Sequence, residues 1–205
     1  MSLPRRLALS LAFCATAASA QNLLTNPGAE AGSLAGWTPG GTASVRVDDG
    51  SFNSNIKPFK GSYAFVGGNG LYGSLTQTVT LGALAAGSLA NVSFWEQGLN
   101  QGNPSDHAYV SLSFLDAGNT VLQSVSTPIV DSHLGSWQQY SGSFAIPVGT
   151  VAIAYTMNFQ RAAGSDLDAY IDANVLTVTA VPEPAAALML AGGLLLMPLL
   201  KRRRD

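Results

Sequence analysis

The sequence predicts an all-β chain, an antiparallel two-sheet β-sandwich of the jelly-roll type followed by a single C-terminal transmembrane helix, and three observations carry that expectation. Nine short segments alternate between polar and apolar residues, clusters of turn-forming residues separate them, and no stretch of helical period interrupts the series. The composition agrees: 22 glycines, 47% hydrophobic residues and only 11% charged ones are too apolar for a disordered chain and too glycine-rich for a helical bundle.

The alternating segments are residues 43–47, 63–66, 74–81, 90–97, 109–116, 121–129, 137–146, 151–160 and 169–179. Between them lie Gly67-Gly68-Asn69-Gly70, residues 98–104, Ala117-Gly118-Asn119 and Pro147-Val148-Gly149, which favour turns or break strand ladders. Gly67 to Gly70 is read as a hairpin turn and not a phosphate loop, because a strand and no helix follows it. About nine strands suit a sandwich; without a Cys-Trp-Cys framework a jelly roll is preferred to an immunoglobulin fold, and without a repeat a propeller is disfavoured.

The two-residue period of a strand assigns the faces. Val92 and Phe94 should oppose Asn91, Ser93, Trp95 and Gln97, and Val110, Leu112 and Phe114 should oppose Tyr109, Ser111 and Ser113. Val151, Ile153, Tyr155, Met157 and Phe159 form a core-facing set; Ala152, Ala154, Thr156, Asn158 and Gln160 form a small, polar surface.

Residues 1–20 read as a secretory leader, with Arg5 and Arg6 before an apolar stretch and Ala18-Ser19-Ala20 as the cleavage site. The only cysteine, Cys14, lies inside it; Phe13 before it departs from the small residue that a lipidated leader uses, and the domain that follows, residues 21–180, has neither disulfide nor thiol chemistry. That domain has four basic and ten acidic residues, which argues against nucleic acid as a partner, since phosphate binding needs clustered Lys and Arg.

At the other end, residues 181–205 begin Val181-Pro182-Glu183-Pro184, continue as an apolar run over 185–200 and close with Lys201-Arg202-Arg203-Arg204 and Asp205. A helix of that run would span roughly 24 Å, somewhat short of the ~30 Å hydrocarbon core, with snorkelling arginines and mild thinning closing the gap. The basic cluster should stay cytoplasmic and leave the β-domain outside the inner membrane. The motif Pro182-Glu183-Pro184, the apolar span and the arginines resemble the PEP-CTERM sorting signal. That resemblance implies recognition by an exosortase, a membrane-embedded processing enzyme of Gram-negative bacteria that make extracellular polysaccharide, and a transient membrane anchor before delivery to the cell surface or matrix.

The central domain also resembles galactose-binding-like jelly rolls, the group that includes many carbohydrate-binding modules. The matching pieces are Asn22-Leu23-Leu24-Thr25-Asn26-Pro27-Gly28-Ala29-Glu30 with Trp37 soon after, Val92-Ser93-Phe94-Trp95, Trp137-Gln138-Gln139-Tyr140 and Ala169-Tyr170-Ile171-Asp172. The resemblance implies a structural calcium held by Glu30 and Asp172, with carbonyls and water completing six to eight oxygens; the alternative is a solvated or hydrogen-bonded pair at the sandwich edge. Asp166 and Asp168 do not form an EF-hand.

A sugar ring stacks on a flat aromatic face while amides bind its hydroxyls. Trp95 is the expected floor of a shallow groove, with Gln97, Tyr109, Asn158 and Gln160 around it and Arg161 at the rim; its alternative is packing under the 98–104 loop. Trp37 and Trp137 are expected to be packing residues, and Tyr72 a candidate exposed ring in a loop.

Catalysis finds little support. Asp131-Ser132-His133 has triad residue types, but sequence neighbours in an extended segment point apart. His107 and His133 lack partners at zinc-ligand spacing, and Asp166, Asp168 and Asp172 would need a cleft to serve as a glycosidase pair. Asn91-Val92-Ser93 matches a glycosylation acceptor by chance, mid-strand. The sequence reading is an exported surface or matrix protein with a non-catalytic, carbohydrate-binding sandwich; the alternatives are a structural envelope or biofilm-matrix protein and, distantly, a glycan hydrolase.

Overall fold

The computed structural model describes residues 21–54, 56–83, 87–99, 105–129 and 135–180. The leader, the motif Pro182, Glu183 and Pro184, the expected helix 185–200 and the Asp131-Ser132-His133 triplet lie outside the described residues.

Ten strands are present: β1 (Thr38–Gly41), β2 (Arg46–Asp48), β3 (Ala64–Asn69), β4 (Tyr72–Thr80), β5 (Leu89–Gln97), β6 (His107–Leu115), β7 (Val121–Ser126), β8 (Gln138–Ala145), β9 (Ala152–Gln160) and β10 (Asp166–Thr179). All nine expected segments are strands, within a few residues at each end. The addition is β1, whose Thr38-Pro39-Gly40-Gly41 reads as a turn because Pro and Gly weaken a ladder. It survives as an edge strand, paired only with β4.

The strands form two five-stranded antiparallel sheets, ordered β1-β4-β9-β6-β7 and β2-β3-β10-β5-β8. Their facing sides enclose the core. Leu75, Phe94, Phe114, Ile153, Tyr155, Met157, Phe159 and Ile171 are all fully buried there. Each such apolar side chain contributes about 1.5–3 kcal/mol relative to exposure. Trp37 closes the core from the opening loop, edge-on to Phe65 and Tyr155 with ring centroids 5.5 and 6.0 Å away, and its indole donates to the Asn26 carbonyl at 3.0 Å. The opening segment is tied to β10: Leu23 N–H donates to the Leu176 carbonyl at 2.8 Å, and Leu176 N–H donates to Asn22 Oδ1 at 3.0 Å.

The two outer faces differ. Over β2-β3-β10, a second small cluster of Ile56, Ala64, Val66 and Tyr170 is covered by Phe52, Leu99 and Trp137, so β10 is buried on both sides along its first half. The outer face of β4, β9 and β6 has no comparable cover among the described residues, and its side chains are mostly small or polar, with Tyr72, His107 and Tyr109 as its rings.

Candidate functional site

Strand register assembles the open face. Across β4, β9 and β6 the first row is Tyr72, Gln160 and His107, with Gln160 in the middle; next come Ser74, Asn158 and Tyr109; then Thr76, Thr156 and Ser111. Asn158 sits between the two tyrosines. The Tyr72 hydroxyl donates to Asn158 Oδ1 at 2.9 Å, and Asn158 Nδ2 donates to Ser111 Oγ at 3.0 Å. A neighbouring pair, Thr76 Oγ1 and Thr156 Oγ1, is 2.9 Å apart, and the His107 ring nitrogens lie 3.3 Å from Gln160 Oε1 and 3.4 Å from the Ser105 carbonyl.

Asn158 is 5% exposed and held by both neighbours, whereas Tyr72 is 40% exposed. Burial raises the Tyr109 phenol above its ordinary value, with nearby Tyr72 as a second cause, so its O–H stays intact at neutral pH. None of the strand positions on this face carries a carboxylate, ammonium or guanidinium. The arrangement offers two rings, a fixed amide between them and a carpet of hydroxyls.

The groove expected around Trp95 is corrected by this topology. Trp95 and Gln97 belong to β5, in one sheet, while Tyr109, Asn158 and Gln160 belong to β6 and β9, in the other. The core lies between them. Trp95 is covered by Phe59, with stacked ring centroids 3.9 Å apart and 16° between planes, and Phe59 presents the exposed face. Gln97 is 5% exposed and donates through Nε2 to the Gly135 carbonyl at 2.9 Å. Arg161 follows Gln160 at the end of β9, but its guanidinium donates to the Ser165 carbonyl and turns into its own loop. Trp37 and Trp137 both pack as expected, the latter donating to the Lys57 carbonyl at 2.9 Å.

Glu30 and Asp172 do come together, lining one pocket of ≈ 380 Å³ with Asn22, Asn26, Gly28 and Lys60. Glu30 accepts from the N–H groups of Ser62 and Tyr63 at 3.0–3.1 Å, and Asp172 Oδ2 accepts from Lys60 N–H at 3.0 Å. A bulge in β10 between Asp172 and Val175 re-aims the strand here. Burial, with the Glu30 charge as a further contribution, pushes the Asp172 carboxyl up to about 6. Three non-glycine residues with left-handed backbone, Asn26 (φ 49°), Ala29 (φ 61°) and Ala173 (φ 50°), lie at or beside this pocket, each an unfavourable conformation held by its surroundings.

No protein-family model matches this chain, and no curated protein matches it. Solved structures do. A family 61 carbohydrate-binding module, TmCBM61, in complex with beta-1,4-galactotriose superposes with a TM-score of 0.52 at 24% identity over 78% of this chain and 99% of the module. The CBM22-1 xylan-binding domain of Xyn10C from Paenibacillus barcinonensis gives a TM-score of 0.52 at 12% identity over 82% of this chain and 100% of that domain. The enzymatically active domain of bacteriophage CBA120 tailspike protein 4 gives 0.56 at 17% identity, but the chain spans only 21% of it.

The fold is a two-sheet antiparallel β-sandwich similar to those of the solved carbohydrate-binding modules. Some neighbours are parts of larger enzymes, so the fold by itself does not separate binding from catalysis.

Tyr72 and His107 are the residues of the open face that sequence reasoning left in loops. Both are first residues of strands. The signal was present in the alternations Tyr72-x-Ser74-x-Thr76 and His107-x-Tyr109-x-Ser111, each of which runs one period further than the segment expected.

Proposed function

We propose that this protein is a non-catalytic carbohydrate-binding module that holds a neutral polysaccharide on the outer face of β4, β9 and β6. The observation that carries this reading is the bracketing of Asn158 by Tyr72 and Tyr109 on an uncharged, hydroxyl-rich surface. Aromatic rings cover the apolar C–H faces of sugars, and a preorganised amide binds their hydroxyls at little entropic cost. Glycoside hydrolysis needs two carboxyl groups flanking the bond, and the strand positions of this face provide none.

The test is retention of the purified protein on neutral and on uronate-containing polysaccharides, comparing wild type with Tyr72→Ala, Tyr109→Ala and Trp95→Ala. Loss in the two tyrosine variants alone supports the reading. Retention that survives both rules out this face, and binding to no glycan moves the protein to the structural, protein-contacting class.

The ends of the sequence supply the setting: a leader over residues 1–20 for export, and a PEP-CTERM-like tail over 181–205 for membrane retention and exosortase processing, with extracellular polysaccharide as the partner. Co-purification of a shortened chain from cells with the processing enzyme, and of the full-length chain from cells without it, tests the route.

Calcium belongs to the same reading. The buried Asp172, its pKa raised, and the exposed Glu30 line one pocket and form a donor set that suits a hard cation. Among the described residues no group of three or more His, Cys, Asp or Glu side chains could hold a metal, so main-chain carbonyls and water would supply the other ligands. Glu30 and Asp172 would hold the ion, which would cross-link the opening loop to β10 and take no part in chemistry.

A further inference from the structure

Register also defines the two ends of the sandwich. Thr80, Leu115 and Ala152 are aligned at one end of the first sheet, and Leu89, Ala145 and Thr179 at one end of the second. Loop hydrogen bonds extend the pairing within each sheet: Leu81 N–H donates to the Val151 carbonyl and Val151 N–H to the Leu115 carbonyl, both at 2.8 Å, and Ile146 N–H donates to the Ser88 carbonyl at 3.0 Å; Leu81, Ser88, Ile146 and Val151 line one groove, which brings the two ends together. Strand β10 finishes at this pole, so the chain leaves it at Ala180.

Among the described residues the turns at this pole expose aliphatic side chains. Val148 is 91% exposed, Val121 52%, Leu122 43% and Val151 39%. A groove of ≈ 470 Å³ lies among Leu81, Ile146, Pro147, Val148 and Val151. The one charge in these turns is Asp116, whose Oδ1 accepts from Gly118 and Thr120 N–H at 2.8 Å and so faces its own loop. Asp166 and Arg161 lie at the opposite ends of β10 and β9, and Glu30 and Lys60 sit beside Asp172, midway along β10.

We infer that this pole seats on the lipid surface of the membrane that holds the chain, with Val148, Val151, Val121 and Leu122 in the interfacial layer. The inference rests on residues 185–200 being a membrane segment. Only residues 180–184 then separate the pole from the hydrocarbon, a reach of at most about 17 Å. So short a tether gives an effective concentration in the millimolar range, at which weak burial of a few valines and leucines is populated. A strongly charged pole would resist this; one whose single carboxylate is bound by its own loop and whose exposed side chains are aliphatic gains from it.

The test uses the chain from residue 21 onward, without the leader and its Cys14, carrying one added cysteine, Val148→Cys or, at the other pole, Ala162→Cys, labelled with an environment-sensitive fluorophore in phosphatidylcholine vesicles. Lipids carrying a nitroxide at the interface should quench the label at 148 at least about twofold more than the label at 162, with a blue-shifted emission at 148 only. Equal, water-like emission at both positions in a chain that floats with the vesicles overturns the pole contact alone. A label at 148 that is shielded from water but not quenched by lipid also overturns it, because the chain's own tail or a second copy then covers the groove. A chain that does not float removes the tether, and with it both this inference and the membrane reading of the tail.

Discussion

Tyr72 and Asn158, on adjacent strands, are joined by a hydrogen bond of 2.9 Å from the phenol to the amide oxygen, so the exposed ring and the buried amide form one unit. Removing the ring should therefore affect binding more than folding. Tyr72→Ala should weaken retention on a neutral polysaccharide by about tenfold, roughly 1.4 kcal/mol, while Tyr72→Phe keeps the stacking surface and loses only a few-fold. Affinity electrophoresis measures both, and equal losses in the two variants would show that the hydroxyl, not the ring, carries the contact.

Trp95 gives the opposite expectation. Its ring is held beneath Phe59 on the other sheet, so Trp95→Ala should lower stability by about 2 kcal/mol, less than for a fully buried Trp, and leave glycan retention unchanged. A urea titration read alongside the binding assay separates the two effects. A well-folded Trp95→Ala protein that no longer binds glycan would place the site on the wrong sheet.

The carboxyl pair makes stability depend on pH and calcium together. With its folded pKa at about 6 against an ordinary 3.8, Asp172 keeps a proton in the fold that the unfolded chain has released. Stability without metal should thus fall as pH rises from about 4 to about 6, by at most about 3 kcal/mol, and stay level above. Calcium binds the ionised pair, so it should raise Tm more at pH 7 than at pH 5. Differential scanning fluorimetry at the two pH values, with calcium or a chelator, reads this directly; an equal shift at both would remove Asp172 from the site.

A buried polar link should show its cost. Tyr155 is fully buried and donates to Asn174 Oδ1 at 2.9 Å, and Asn174 donates to the Pro27 carbonyl at 2.7 Å. Tyr155→Phe leaves that amide oxygen short of a donor and should cost about 1–3 kcal/mol. Burial holds the Tyr155 phenol well above 10, so the unfolded chain ionises first and stability should fall further above pH 10. Chemical denaturation of wild type and variant at pH 7 and pH 10.5 tests both statements.

The strands were legible because a half-buried strand writes its two faces into alternate residues, and the core set from Ile153 to Phe159 emerged that way. Alternation does not reveal which sheet a strand joins. Trp95 and Tyr109 sit on consecutive strands with the same outward parity, yet the connection between β5 and β6 crosses the sandwich, and β9 inserts between β4 and β6 from far along the chain. Cross-strand neighbours at such separations leave no local trace, which is why half of the expected groove was assigned to the wrong face. The Glu30 and Asp172 pair was reached through resemblance, and the bulge and left-handed residues that shape its pocket break the periodicity that sequence reading relies on.

Tyr72 and Tyr109 stand on the two strands that flank β9 and are staggered by two residues, so the line joining them crosses the strands obliquely, at a span of about 12 Å. A polymer gripped by both rings would lie crosswise, entering over one edge of the sheet and leaving over the other. A site of that shape, open at both ends among the described residues, would not select chain termini. Several copies can sit astride one strand of polysaccharide, and their combined hold then grows with the length of the polymer rather than with the strength of any single grip.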